Sequence, residues 1–127
     1  MTTQINMQLI TNELSIRNNQ LPPGTFSINP MFRRNIGTIN EHQAFTQIVV
    51  ELKNTEDHPF PVDITADMTA IFEIDSIPQE TLDDFLKHQA VHILLPYLRA
   101  MISSVTANSF MPAIVLPVFN ALDLFPD

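Results

Sequence analysis

A chain of 127 residues, 45% apolar, with nine Phe and no Cys, can build one core without staples, and it excludes disulfides, thiolate-ligated zinc, iron–sulfur clusters and a Cys nucleophile. Fourteen acids against six bases give a net charge of −8, which repels phosphate backbones and anionic lipid, so no nucleic acid is expected and basic or apolar partners fit better. Gly24 and Gly37 stand too far apart for a phosphate-cradling loop, and no cofactor is implied by any motif.

Near the N-terminus Ile5, Met7 and Leu9 alternate in one phase and Leu14 and Ile16 in the other, which a bulge around Ile10 and Thr11 reconciles. Thr25 to Ile36 is a weaker strand candidate, with Pro30 marking an edge or a bulge. Phe45 to Lys53 is rich in β-branched residues. The turn-forming run Asn54 to Pro59 then links it to Val62–Asp75 as a hairpin. In that last stretch Val62, Ile64, Ala66, Met68, Ala70, Phe72 and Ile74 alternate with Asp63, Thr65, Asp67, Thr69, Ile71, Glu73 and Asp75. A period of two puts one face on a core and the other in water.

After Ile74 the period becomes helical. Ser76 offers an N-cap and Pro78 a first-turn Pro; Leu82, Phe85, Leu86, Ile93 and Leu94 then follow at helical spacing, so a helix begins near Gln79. Pro96 is expected to kink or split it, with a second segment from Tyr97 to about Ala107. The apolar tail from Phe110, broken by Pro112 and Pro117, is expected to cross in extended form and end in at most one helical turn. The fold class is α+β: a four-stranded antiparallel sheet followed by a long Pro-interrupted helix packed on one face. The apolar stretches 90–105 and 110–125 are interrupted by polar residues or Pro, and no apolar run follows the N-terminus. No membrane insertion and no secretory signal are expected, and the location expected is cytoplasmic.

His88 and His92 stand four apart, as in a zinc hydrolase helix, but Gln89 occupies the place of the general-base Glu and no third ligand is evident. No metal site and no catalytic set are read; Ser103 and Ser104 look like packing residues, and Asp83 and Asp84 like complements to the helix dipole. Ten of the fourteen acids fall between Glu51 and Asp84. Asp63, Asp67, Glu73 and Asp75 project from one strand face, which is either a solvated surface or a docking face for a basic partner.

The run Ile93-Leu94-Leu95-Pro96-Tyr97-Leu98-Arg99, then Ile102-Ser103-Ser104, then Phe110 to Leu122 resembles the C-terminal half of SecB, the bacterial export chaperone family. The order of strands agrees, so the resemblance covers most of the chain. It implies one SecB-like domain over 1–127, with the sheet in 1–75, the helix in 79–107 and the tail in 108–127. It also implies a homo-oligomer, a dimer or a tetramer built as a dimer of dimers, that holds unfolded or preprotein clients in apolar grooves without ATP. Candidate client-binding residues are Phe26, Ile28, Met111, Ile114, Leu116 and Phe119.

In the family an acidic sheet face docks SecA, the export ATPase; Glu13 and Glu73 match that pattern and join Asp63, Asp67 and Asp75 as candidate docking residues, whereas Arg17 stands where an acid is expected. Ala100 replaces the usual Glu, Phe119-Asn120 comes one residue early, and the resemblance ends short of the family's second long helix. Those departures favour, as the alternative, an adaptor devoted to one client, as in toxin–antitoxin-associated members.

Overall fold

Alternation along Val62–Glu73 (β4) is borne out residue by residue: Val62, Ile64, Ala66, Met68, Ala70 and Phe72 are 0 to 5% exposed, while the residues between them are half-buried or exposed. The computed structural model describes residues 6–75, 77–109 and 111–127. Its other strands are Met7–Asn18 (β1), Met31–Asn40 (β2) and Gln43–Leu52 (β3). All neighbours are antiparallel, and the order across the sheet is β1-β4-β3-β2. The register of β1 shifts between Thr11 and Glu13, so Leu9 and Leu14 both lie opposite inward-facing β4 residues, Ala70 and Ala66. That is the expected bulge. Ile5 and Ser76 lie outside the described residues.

This order puts β1 and β2 at opposite edges. Residues 19–30 must therefore travel about 14 Å, three strand spacings, past the ends of β4 and β3. That requirement overturns the expected strand from Thr25: β2 begins only at Met31, and Phe26 and Ile28 belong to the crossing. Pro30 immediately precedes an edge strand, where its missing N–H costs no ladder bond. Opposite Gly37 in β2 lies the Phe45 ring, whose Cε1 would come 2.8 Å from an added Cβ, so any larger residue there would have to displace the ring.

On the inner face lies the helical layer: Gln79–Asp84 (α1), a π-helical turn at Phe85–Gln89, and Ala90–Asn108 (α2). Leu82, Leu86, Val91, Leu94, Leu98 and Ile102 are buried against Ile48, Val50, Ile64 and Phe72 of the sheet. Pro96 lies inside α2 without dividing it, so the second segment starts at Ala90 and not at Tyr97. The irregularity sits upstream, where the sheet holds it. The buried Thr46 hydroxyl donates to the Leu86 carbonyl at 2.8 Å, and Arg34 Nη1 donates to the Lys87 carbonyl at 2.9 Å. A widened turn loosens the regular backbone ladder, and these two side chains supply donors there.

By length and composition the helical run Gln79–Asn108 is long and apolar enough to cross a membrane, contrary to the reading from its polar interruptions. Its inward face, however, is committed to the sheet, with Leu94, Leu98 and Ile102 at 0% exposure. The tail runs in extended form to one helical turn, Ala121–Leu124 (α3), capped by Asn120 Oδ1, which accepts from the Leu122 N–H at 2.9 Å. Arg34 also anchors this end: its guanidinium lies 4.7 Å from the centre of the Phe125 ring and 2.6 Å from Asp127 Oδ1.

Candidate client-binding groove

Both irregular stretches meet at one end of the sheet. The crossing 19–30 and the tail segment 111–115 face each other over Phe60, Pro61 and Val62, enclosing a groove of about 550 Å³. Phe26, Ile28, Met111 and Ile114, four of the residues expected to bind clients, line it together. Asn18 is the most polar lining residue, and no lining side chain is charged. A surface of that kind gains by removing apolar area from water, at about 25 cal/mol per Å², without needing a partner of fixed sequence.

Two of the expected residues lie elsewhere. Leu116 is 1% exposed and belongs to the core, so a client does not reach its side chain in this conformation. The half-buried Phe119 packs edge-on against Phe32 of β2, with ring centres 5.1 Å apart. The lining residues Leu21, Pro22, Pro23, Phe60, Pro61 and Val115 were not foreseen. Two proline clusters, Pro22-Pro23-Gly24 and Pro59-Phe60-Pro61, were the available signal, since such runs mark ordered turns that cannot join a sheet.

One face of α2 holds the tail wall in place. Thr106 Oγ1 accepts from the Ile114 N–H at 2.9 Å, Ser103 Oγ donates to the Ile114 carbonyl at 2.8 Å, and Arg99 Nε donates to the Leu116 carbonyl at 3.0 Å. Residues 99, 103 and 106 are spaced four and three apart, so they share a helix face. An extended segment with no strand neighbour thereby satisfies part of its backbone. On the opposite side, Asn19 Nδ2 donates to the Phe60 carbonyl at 3.0 Å and the Asn19 N–H to the Pro61 carbonyl at 2.9 Å.

The outer sheet face carries Asp63 and Asp67 opposite Arg17 and Glu13 of β1. Each expected docking acid has a local polar neighbour. Asp67 accepts from Asn12 at 3.0 Å and Gln47 at 2.9 Å, Glu73 from Asn6 at 2.9 Å, and Glu13 from Ser15 at 3.2 Å. Asp75 lies 2.9 Å from His42. Bases are interspersed, with Arg33 in an ion pair to Glu51 at 2.7 Å and Lys53 3.3 Å from Thr65 Oγ1. Asp63 is held below the usual carboxylate range, chiefly by the bond from the Asn54 N–H. The face is therefore of mixed sign toward the Asp63 end, not a continuous acidic stripe.

His88, on the π-helical turn, is half-buried and 3.2 Å from Asp84 Oδ1, whereas His92 is exposed. Among the described residues, no three His, Asp or Glu side chains gather as a metal site would require.

An antiparallel sheet with one helical layer, and an uncharged groove where a chain crossing meets an extended tail, define an α+β domain with an apolar concave surface at one end of its sheet. The chain belongs to the SecB family, whose profile, preprotein translocase subunit SecB, matches residues 4–126. It is 35% identical over 88 residues to the protein-export protein SecB of Nitrosomonas europaea, covering 68% of this chain and 53% of that one. An uncharacterized protein of Methanocaldococcus jannaschii is 35% identical over 60 residues, 47% of this chain and 39% of its own. The chain thus spans about half, or less, of the length of these relatives. Among solved structures, a SecB-like chaperone of Mycobacterium tuberculosis in complex with an antitoxin peptide shares the fold, with a TM-score of 0.76 at 12% identity and 91% of each chain covered.

Proposed function

We propose that this protein is an ATP-independent holdase of the cytoplasm, without enzymatic activity, that keeps unfolded or preprotein clients from aggregating by seating their apolar segments in the groove. The observation that carries this reading is the uncharged groove of about 550 Å³ shared by Phe26, Ile28, Met111 and Ile114. Such a lining rewards exposed apolar side chains of any sequence and offers nothing to a folded, polar surface. The working unit is proposed to be a symmetric dimer or tetramer: Leu14, at 41% exposure, and Tyr97, at 46%, flank a second apolar depression between β1 and α2 that a further copy would cover.

A single dedicated client is the second reading. It is favoured by the antitoxin peptide bound to the Mycobacterium tuberculosis SecB-like chaperone. SecA docking through the outer face is the weaker partner proposal, because the acids there alternate with Arg17, Arg33 and Lys53.

Light scattering of a chemically unfolded substrate, with and without this protein, tests the holdase. Protection at stoichiometric excess, lost when Phe26 and Ile114 are both changed to Ser, is the expected result. No protection of several unrelated substrates transfers the groove to the dedicated-client reading.

A further inference from the structure

Asp63 lies in β4 on the outer sheet face, yet its carboxylate reaches both the crossing that forms one groove wall and the loop that carries the groove floor. A single oxygen, Oδ1, accepts from the Asn54 N–H at 2.8 Å and from Asn19 Nδ2 at 3.0 Å. Both asparagines then hold Phe60, on the groove floor and 5% exposed. Asn54 Oδ1 accepts from the Phe60 N–H at 3.1 Å, and Asn19 Nδ2 donates to the Phe60 carbonyl at 3.0 Å. The next residue, Gln20, has φ of 54°, and its N–H donates to Asn18 Oδ1 at 2.7 Å. A left-handed residue without a glycine's freedom is strained and persists where its surroundings fix it. Here it turns the chain so that Leu21 to Gly24 form a groove wall.

We propose that Asp63 is a positioning residue for the client groove: by tying Asn19 to Asn54 it fixes Phe60 and the turn at Gln20, and so keeps the groove open in its binding shape. This rests on the groove being the client site. Asp63 thereby acts through two asparagines on an apolar surface it does not touch itself. Removing the carboxylate frees both amides at once, and a groove formed only part of the time binds more weakly in proportion.

The test is the affinity of a fluorescein-labelled, reduced and carboxymethylated α-lactalbumin, a permanently unfolded probe, measured by anisotropy beside hydrogen exchange at the Phe60 amide. Asp63→Ala is expected to bind about tenfold more weakly, the effect of one lost charge-assisted hydrogen bond, with faster exchange at Phe60. Asp63→Asn keeps an acceptor oxygen and restores affinity to within about twofold of wild type. Glu56→Ala, in the same loop, leaves it unchanged.

If Asp63→Ala fails to fold, Asn54→Ala carries the same expectation, because it removes the acceptor of the Phe60 N–H and leaves its own backbone bond to Asp63. A folded Asp63→Ala or Asn54→Ala with wild-type affinity, while Ile114→Ser loses the probe, overturns the positioning role and leaves the groove standing. Undiminished affinity in Phe26→Ser and Ile114→Ser together overturns the groove reading, and the proposal with it.

Discussion

Strand β4 and the two crossing segments, 19–30 and 111–119, are built on opposite terms. β4 sits between two partners, so its backbone is satisfied by neighbours on both edges and its side chains are free to divide strictly between core and outer face. The crossings have no ladder. Arg99, Ser103 and Thr106 of α2 meet backbone groups of the tail, and Asn19 ties the first crossing to the carbonyls of Phe60 and Pro61. In β4 the alternating backbone sends six apolar side chains into the core, whereas backbone pinned from behind can present them outward. The groove lies where the second construction is used twice.

The sharpest break in this comparison comes from the regular half. Leu98→Ala, removing a side chain at 0% exposure between helix and sheet, is expected to cost about 2–5 kcal/mol in denaturant unfolding and to impair every activity together. Thr106→Val acts on the irregular half. It removes the hydroxyl that accepts from the Ile114 N–H and donates to the Ile102 carbonyl at 2.8 Å, for an expected loss of about 1–3 kcal/mol. Weaker probe binding should accompany that loss. A Thr106→Val variant as destabilised as expected but with wild-type probe affinity would separate tail pinning from binding.

Gly37→Ala probes the ladder itself, since Phe45 must give way; about 1–3 kcal/mol of stability should go, with the groove untouched. Smallest is the outer face: Glu73→Gln is expected to change stability by less than about 1 kcal/mol. Its measurable effect would be a slower, less salt-dependent association with a basic partner.

Acid supplies another handle on the crossings. Because the folded state holds Asp63 below its usual range, through the Asn54 N–H first and then the Asn19 amide and the charges of Lys53 and Arg17, its contribution is present at neutral pH. It is lost as pH falls through the lowered folded-state value. Wild-type stability in denaturant unfolding should therefore drop on acidification, and the part of that drop due to this carboxylate should vanish in Asp63→Asn.

Legibility in the sequence follows the same division. The alternation of β4, the β3–β4 hairpin, the bulge in β1 and the helix start at Gln79 were all readable, because each is encoded by neighbours in the chain. Phe26 and Ile28 stand out as apolar residues of an edge-like segment, but the sequence places them in a strand, since only the sheet order reveals that residues 19–30 must cross. Pro96 draws attention from the π-helical turn, whose stabilising partners, Thr46 and Arg34, lie 40 and 53 residues upstream of the carbonyls they meet. Leu116 is not legible as core because a tail's apolar residues carry no local mark of which way they face; it turns inward at 1% exposure while Val115 beside it is 62% exposed.

The central claim is that unfolded clients contact the groove framed by residues 18–28 and 111–115. Site-specific photocrosslinking tests it most directly, with a photoreactive phenylalanine analogue placed in turn at Ile28, at Val115 and at Gln47 on the outer face, and an unfolded substrate added. The account expects substrate adducts at Ile28 and Val115 and none at Gln47. Adducts at Gln47 with none at the two groove positions would contradict it.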